Sequence, residues 1–141
     1  MLRSVRPIRP PQMEQTMTDT PDFTPLADRY IAMWNETDAG RRRGLIAELW
    51  TETGRYRDPM LTGDGPDGID AMVAAVQTQY PSHRFHRTGA VDAHHQSLRF
   101  GWELKAAGQA PFVIGIDVGE VSSDGRLQSI TGFFDHVAQA G

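Results

Sequence analysis

The chain has no cysteine among its 141 residues. That absence removes disulfides, thiolate nucleophiles and zinc–thiolate sites together, and it fits a reducing compartment, the cytoplasm. Basic residues are short as well: 14 Lys and Arg stand against 18 Asp and Glu, a net charge of −4. A nucleic-acid partner calls for a basic excess or stripe, so none is expected. No apolar run is long enough to span a membrane, and the basic start Met1-Leu2-Arg3-Ser4-Val5-Arg6-Pro7 lacks the apolar stretch of a secretory signal. Also missing are a Ser-centred nucleophile motif, a glycine-rich phosphate loop and a dinucleotide fingerprint. What remains, 39% hydrophobic and 23% charged residues, is enough for one globular domain with its own core and too little for two.

Residues 1–22, rich in Arg, Pro, Thr and Gln and without periodicity, read as a disordered extension, with Met17-Thr18-Asp19 as an alternative start. Residues 23–141 read as the domain. Thr24-Pro25 predicts a helix start, with Thr24 as cap and proline at the first helical position. Leu26, Tyr30, Ile31 and Trp34 then share a face. Asp38 predicts the cap of a second helix carrying Leu45, Ile46, Leu49 and Trp50 on one stripe, with Arg41-Arg42-Arg43 on a solvated face. A short strand over 54–58 follows. The Asp- and Gly-rich loop 62–68 lacks the ligand spacing of a calcium loop and leads into a third helix, where Ile69, Met72, Val73, Val76 and Tyr80 have helical spacing.

From Arg84 onward the period changes to two. Leu98, Phe100, Trp102 and Leu104 alternate with Arg99, Gly101, Glu103 and Lys105, the pattern of a half-buried antiparallel strand. Turns at 106–109 and at Ser122-Ser123-Asp124-Gly125 separate it from strands over 112–121 and 127–137. Helices first and then a meander of strands predict an α+β fold, three N-terminal helices packed on one face of a curved antiparallel sheet.

Three residues suit proton abstraction next to a carbonyl. Asp58, in Arg55-Tyr56-Arg57-Asp58-Pro59, sits where a strand ends and proline forces the chain out of regular structure. Tyr30 lies on the first helix. Asp117 interrupts the apolar run Val113-Ile114-Gly115-Ile116-Asp117-Val118, where a carboxylate is costly unless paired, protonated or useful. Each has a plain structural alternative: a turn cap for Asp58, a satisfied core aromatic for Tyr30, a buried ion pair or a wet sheet face for Asp117. The histidines do not argue for a metal. His94 and His95, adjacent near a hairpin, point to opposite faces of a strand unless the turn rotates one, and His83 and His86 are merely three residues apart, so solvated hairpin histidines are the expectation.

The order of elements over residues 24–137 resembles the nuclear-transport-factor-2-like superfamily, and within it the SnoaL-like branch. The segments Arg29-Tyr30-Ile31-Ala32-Met33-Trp34-Asn35, Asp58-Pro59 and Ile116-Asp117 are similar to those that carry the site of bacterial ketosteroid isomerases. The resemblance implies a cone around an apolar pocket, with no cofactor. It implies Asp58 as base, with Tyr30 and a protonated Asp117 as donors to an enolate oxygen. It implies a pocket wall of Trp34, Trp50, Phe100, Trp102, Leu104, Val113, Ile130, Gly132 and Phe134, a hydrophobic small molecule as ligand, and a homodimer formed through the sheet. Isomerases and polyketide cyclases share this branch with proteins that only bind ligands or assemble. The expected function is therefore a small-molecule isomerase or cyclase, with a non-catalytic ligand-binding or dimeric interaction domain as the alternative.

Overall fold

The computed structural model describes residues 20–139; the expectation for 1–22 lies almost wholly outside that range. Three helices, α1 (Thr24–Asn35), α2 (Ala39–Leu49) and α3 (Gly65–Gln79), pack on a six-stranded sheet of β1 (Trp50–Arg57), β2 (Thr62–Asp64), β3 (His83–His94), β4 (Ser97–Ala106), β5 (Val113–Val121) and β6 (Leu127–Val137). The strand order is β2-β1-β6-β5-β4-β3. All neighbours are antiparallel except β1 and β6, which run parallel, so the sheet is mixed. The chain leaves β1, builds α3 and three further strands, and returns alongside it. β2, only three residues long, is too short to show a period in the sequence. No helix among the described residues is long and apolar enough to cross a membrane.

Period two decides which side chains face the helices. Leu98, Phe100, Trp102 and Leu104 of β4 are buried, as are Val113, Gly115, Asp117, Gly119 and Val121 of β5. The sheet bends where registers slip, between Thr88 and Asp92 of β3 and between Trp50 and Arg55 of β1. Gly89, at φ 72° within the first slip, takes a conformation that costs other residues strain. Under the bend, Met33, Ile46, Leu49, Ile69, Val73, Leu127 and Ile130 are fully enclosed, each burial contributing about 1.5–3 kcal/mol before entropy is counted.

The helix ends fix where α1 sits. Its cap position lies one residue earlier than the sequence predicts, at Phe23, which makes no capping side-chain bond; Thr24 is already helical, and Asp22 Oδ1 accepts its amide at 3.0 Å. The Thr24 N–H still needs an acceptor, whereas Pro25 has none to satisfy. Asp38 caps α2 as expected, accepting the Arg41 amide at 2.9 Å. Arg42 departs from its predicted solvated face. It is buried and donates to Asp70 Oδ1 at 2.6 Å, to Gln77 Oε1 at 3.1 Å and to the Glu36 carbonyl at 3.0 Å. Gln77 also donates to the carbonyls of Trp34 and Glu36. Carbonyls at the C-terminal end of α1 thus receive side-chain donors from α2 and α3. Asn35 adds a two-way bond to the backbone of Phe85, tying the same end to β3.

Candidate functional site

Between α1, α3 and the inner face of the sheet lies a cavity of about 310 Å³. Its walls are aromatic and aliphatic. Tyr30, Ile31 and Trp34 come from α1, Val76 and Tyr80 from α3, Phe85 from β3, Trp102 and Leu104 from β4, Val113 from β5 and Phe134 from β6. Trp34, Phe85, Trp102 and Phe134 form a continuous chain of rings with centroids 5.0, 5.6 and 6.0 Å apart. Among the described residues no Lys, Arg or His lines this space. Its carboxylates are Asp58 and Asp117.

Asp117 faces Phe100 across β4 and Gly132 across β6. It is 3% exposed, and both its oxygens are occupied. Tyr30 donates its hydroxyl to Oδ2 at 2.8 Å, and the Trp102 indole N–H donates to Oδ1 at 2.9 Å. Burial without a cation pushes the acid up to about 7. The two donors oppose that rise and the nearby Asp58 adds to it. Burial and the Asp117 charge also push the hydroxyls of Tyr30 and Tyr56 far above the usual phenol range, so both act as O–H donors at any ordinary pH.

Asp58 closes a turn. Its Oδ1 accepts the amides of Met60 and Leu61 at 2.8 and 2.7 Å, while its own N–H donates to the Leu61 carbonyl. Oδ2 accepts the Tyr56 hydroxyl at 2.6 Å. Asp58 therefore has the turn role that Asp-Pro favours, and it also presents one oxygen to the cavity wall through Tyr56. Arg57 points away, as period two requires, and donates to Asp64. Gly132 joins the two acids: a Cβ there would stand 2.8 Å from Asp117 Oδ1 and 3.3 Å from both Asp58 Cβ and the Tyr56 hydroxyl. Only a residue without a side chain lets the carboxyls share this corner.

The structure thus brings Tyr30, Asp58 and Asp117 to one end of the cavity, with Trp34, Trp102, Leu104, Val113 and Phe134 on its walls. Trp50, Phe100 and Ile130, expected on that wall, lie in the core behind it. Trp50 donates to Met33 Sδ, Phe100 packs on Tyr30 at 5.8 Å, and Ile130 is 1% exposed. Trp50 and Phe100 are covered by α1, through Met33 and Tyr30. Tyr56, Phe85, Leu61 and Tyr80 line the cavity without having been singled out as site residues. Tyr56 was detectable in principle, because it precedes Asp58 by two residues on a strand. Among the described residues no group of acidic or histidine side chains is arranged to hold a metal.

No family model and no curated protein matches the sequence. Solved structures do. A candidate isomerase of the SnoaL-like family from Agrobacterium tumefaciens is 36% identical, with a TM-score of 0.76 over 88% of this chain and 100% of that one. A candidate ketosteroid isomerase from Kribbella flavida is 24% identical, with a TM-score of 0.64 over 89% of this chain and 86% of that one. A nuclear-transport-factor-2-like protein of unknown function from Exiguobacterium is 20% identical, with a TM-score of 0.63 over 79% and 99%. The last two share the fold, the nuclear-transport-factor-2-like cone, and the first, at 36% identity over the whole of its length, shows that this chain belongs to the SnoaL-like family.

Proposed function

We propose that the protein is a cofactor-independent isomerase or cyclase of small hydrophobic molecules, working by proton abstraction next to a carbonyl. The observation that carries this reading is the uncompensated acid: Asp117 is buried against an apolar cavity that no cation lines among the described residues, and it is pushed up to about 7. Such an acid is neutral for much of its time near neutrality and can donate a hydrogen bond where an enolate oxygen develops. Asp58 is the base. Three donors hold its carboxylate in place, and its Oδ2 takes the proton from carbon and returns it at another carbon or to the product. Tyr30, on Asp117, completes the oxyanion site. The apolar walls hold a ring system and exclude water from the enolate.

A test is deuterium exchange at the α-carbons of enolisable bicyclic ketones such as 2-tetralone, followed by NMR. In Asp58→Asn the amide oxygen still accepts from Met60 and Leu61, so the turn persists while the base is gone. The expected result is exchange by the native chain and a loss of about 10²–10⁴-fold in the variant. Full activity in Asp58→Asn sinks the assignment.

One observation favours a second reading, a non-catalytic pocket for a hydrophobic ligand. All the bonds Asp58 makes close a turn or satisfy a neighbouring phenol, which a purely structural Asp would also do. Ligand binding without exchange for any ketone of the panel supports that reading. We also propose a homodimer formed through the outer sheet face, where Ile114, Val118 and Phe133 are exposed at 36, 39 and 52%. Sedimentation showing only monomer at high concentration overturns it, whichever reading of the cavity holds.

A further inference from the structure

Trp102 lies across β5 in an unusual way. Its strand partner is Gly115, and a Cβ on Gly115 would come within 2.4 Å of the indole ring. The missing side chain lets the ring lie flat on the strand, so that its N–H reaches Asp117, two residues along the same face. We propose that Trp102 is a positioning residue of the site: its indole N–H, which can only donate, makes Asp117 Oδ1 an acceptor and confines the acid's proton to Oδ2, beside Tyr30. This inference rests on the oxyanion-site reading and adds to it the residue that decides which way the donor points.

Counting hydrogens shows the consequence. An indole N–H can only donate, and the carbonyl oxygen of a neutral acid accepts far better than its O–H oxygen, so the proton favours the oxygen that Trp102 does not face. In the neutral acid the proton is therefore on Oδ2. Oδ2 and the Tyr30 hydroxyl, 2.8 Å apart, then hold two hydrogens between them. One is used in the bond joining the two oxygens and the other is left to point outward. The site presents a single outgoing O–H to the ligand, from Tyr30 or from Oδ2, instead of two separate donors. A ligand oxygen with one strong acceptor direction, as in a ketone or a phenolate, matches it. Ionising Asp117 removes that hydrogen from the pair and leaves Tyr30 donating to the carboxylate alone.

The groups facing Asp117 are few. Tyr30 comes from α1, Tyr56 and Asp58 from β1 and the turn after it. β4 contributes Phe100 and Trp102, β6 contributes Gly132 and Phe134, and none of these four titrates. The Trp102 bond favours the anion, so removing it has a definite sign.

The experiment is a carbon-13 titration of the Asp117 side-chain carboxyl in the native chain and in Trp102→Phe. Phenylalanine retains ring contacts with Phe85 and Phe134 while deleting the N–H. Binding of 2-naphthol against pH is measured in parallel. The midpoint, about 7 in the native chain, is expected to rise by about one pH unit in the variant. The Trp102 indole N–H resonance of the native chain should move with the same midpoint, which provides a readout even if the variant does not fold. Below the midpoint, naphthol binding should weaken by about tenfold in the variant, because the proton is free to sit on Oδ1. A wall residue alone would change naphthol affinity equally at every pH and leave the midpoint where it was, and an unmoved midpoint overturns the proposal. So does an indole resonance that ignores the Asp117 titration. If naphthol fails to bind the native chain at any pH while the midpoint moves as expected, the oxyanion-site reading fails and the Trp102–Asp117 linkage stands.

Discussion

Arg42 and Asp117 are both ionisable residues buried beneath the helices, yet they are satisfied in opposite ways. Around Arg42 each charge has its counter-charge. Asp70 lies at 2.6 Å from Nε, and Nη1 donates to a glutamine oxygen and a backbone carbonyl. Around Asp117 the described residues supply donors but no cation. The first cluster joins α2 and α3 to the end of α1. The second sits on the cavity that α1 helps enclose. A buried charge that closes its own account is architecture, whereas a buried acid left without a counter-charge, next to empty apolar space, is available for chemistry.

The sharpest way to break that contrast is to remove one partner from each cluster. Arg42→Met strands Asp70 in a dry site, with only Arg43 at 3.4 Å as a substitute. A loss of about 3–5 kcal/mol is expected from urea unfolding, and most of it should return in the double variant Arg42→Met, Asp70→Leu. A single variant that unfolds like the native chain would mean the pair is far better hydrated than its 6% and 10% exposed side chains imply.

Asp117→Asn should act in the other direction. The folded chain holds this acid at about 7 against an ordinary value of 3.8. Below about pH 4 it is neutral in both folded and unfolded chains. As pH rises from there to about 7 the unfolded chain ionises and the folded one resists, so folding stability falls; above about 7 the loss is complete. Asparagine removes this liability and reproduces the neutral acid, with its oxygen toward Trp102 and its amide toward Tyr30. The variant should therefore be more stable at pH 8 by on the order of 3 kcal/mol and equal to the native chain near pH 4. The check is a pair of unfolding curves at the two pH values. A variant less stable at pH 8 would place the acid in an ionised, well-paired state and remove the basis of the proposed function.

Much of this was legible before the structure. The Asp117 anomaly is a polarity break within a period-two strand, and period two alone puts it on the face of Val113 and Val121; that this is also the face of Phe100 and Trp102 follows only from the pairing of β4 with β5. Asp38 announced its helix by residue type. The illegible parts share a cause, because they depend on contacts between distant segments. Arg42 looks solvated until Asp70, on another helix, folds against it. Phe100 and Trp102 share a face, but only the position of α1 decides that the first is covered and the second lines the cavity. The Trp102–Asp117 bond needs Gly115, whose missing side chain has no meaning until β4 is laid beside β5. The parallel pairing of β1 with β6 is likewise a property of the returning chain and of no local segment.

The smallest expected effect tests whether burial, and not distance, separates the two kinds of ion pair. Asp28 on α1 accepts from Arg87 on β3 at 2.7 Å, almost the same length as the Arg42–Asp70 bond. Its carboxylate, however, is 54% exposed. Water and salt already solvate that charge, so the pair returns little that the unfolded chain lacks. Asp28→Asn should cost less than about 1 kcal/mol in low salt and close to nothing in about 1 M salt, measured by the same urea unfolding. The Arg42→Met loss should persist at both ionic strengths, because screening ions do not reach a buried guanidinium. Equal salt sensitivity in the two variants would mean that Arg42 is open to solvent, and the contrast between a closed ionic cluster and an open acidic one would have to be redrawn around hydration instead of pairing.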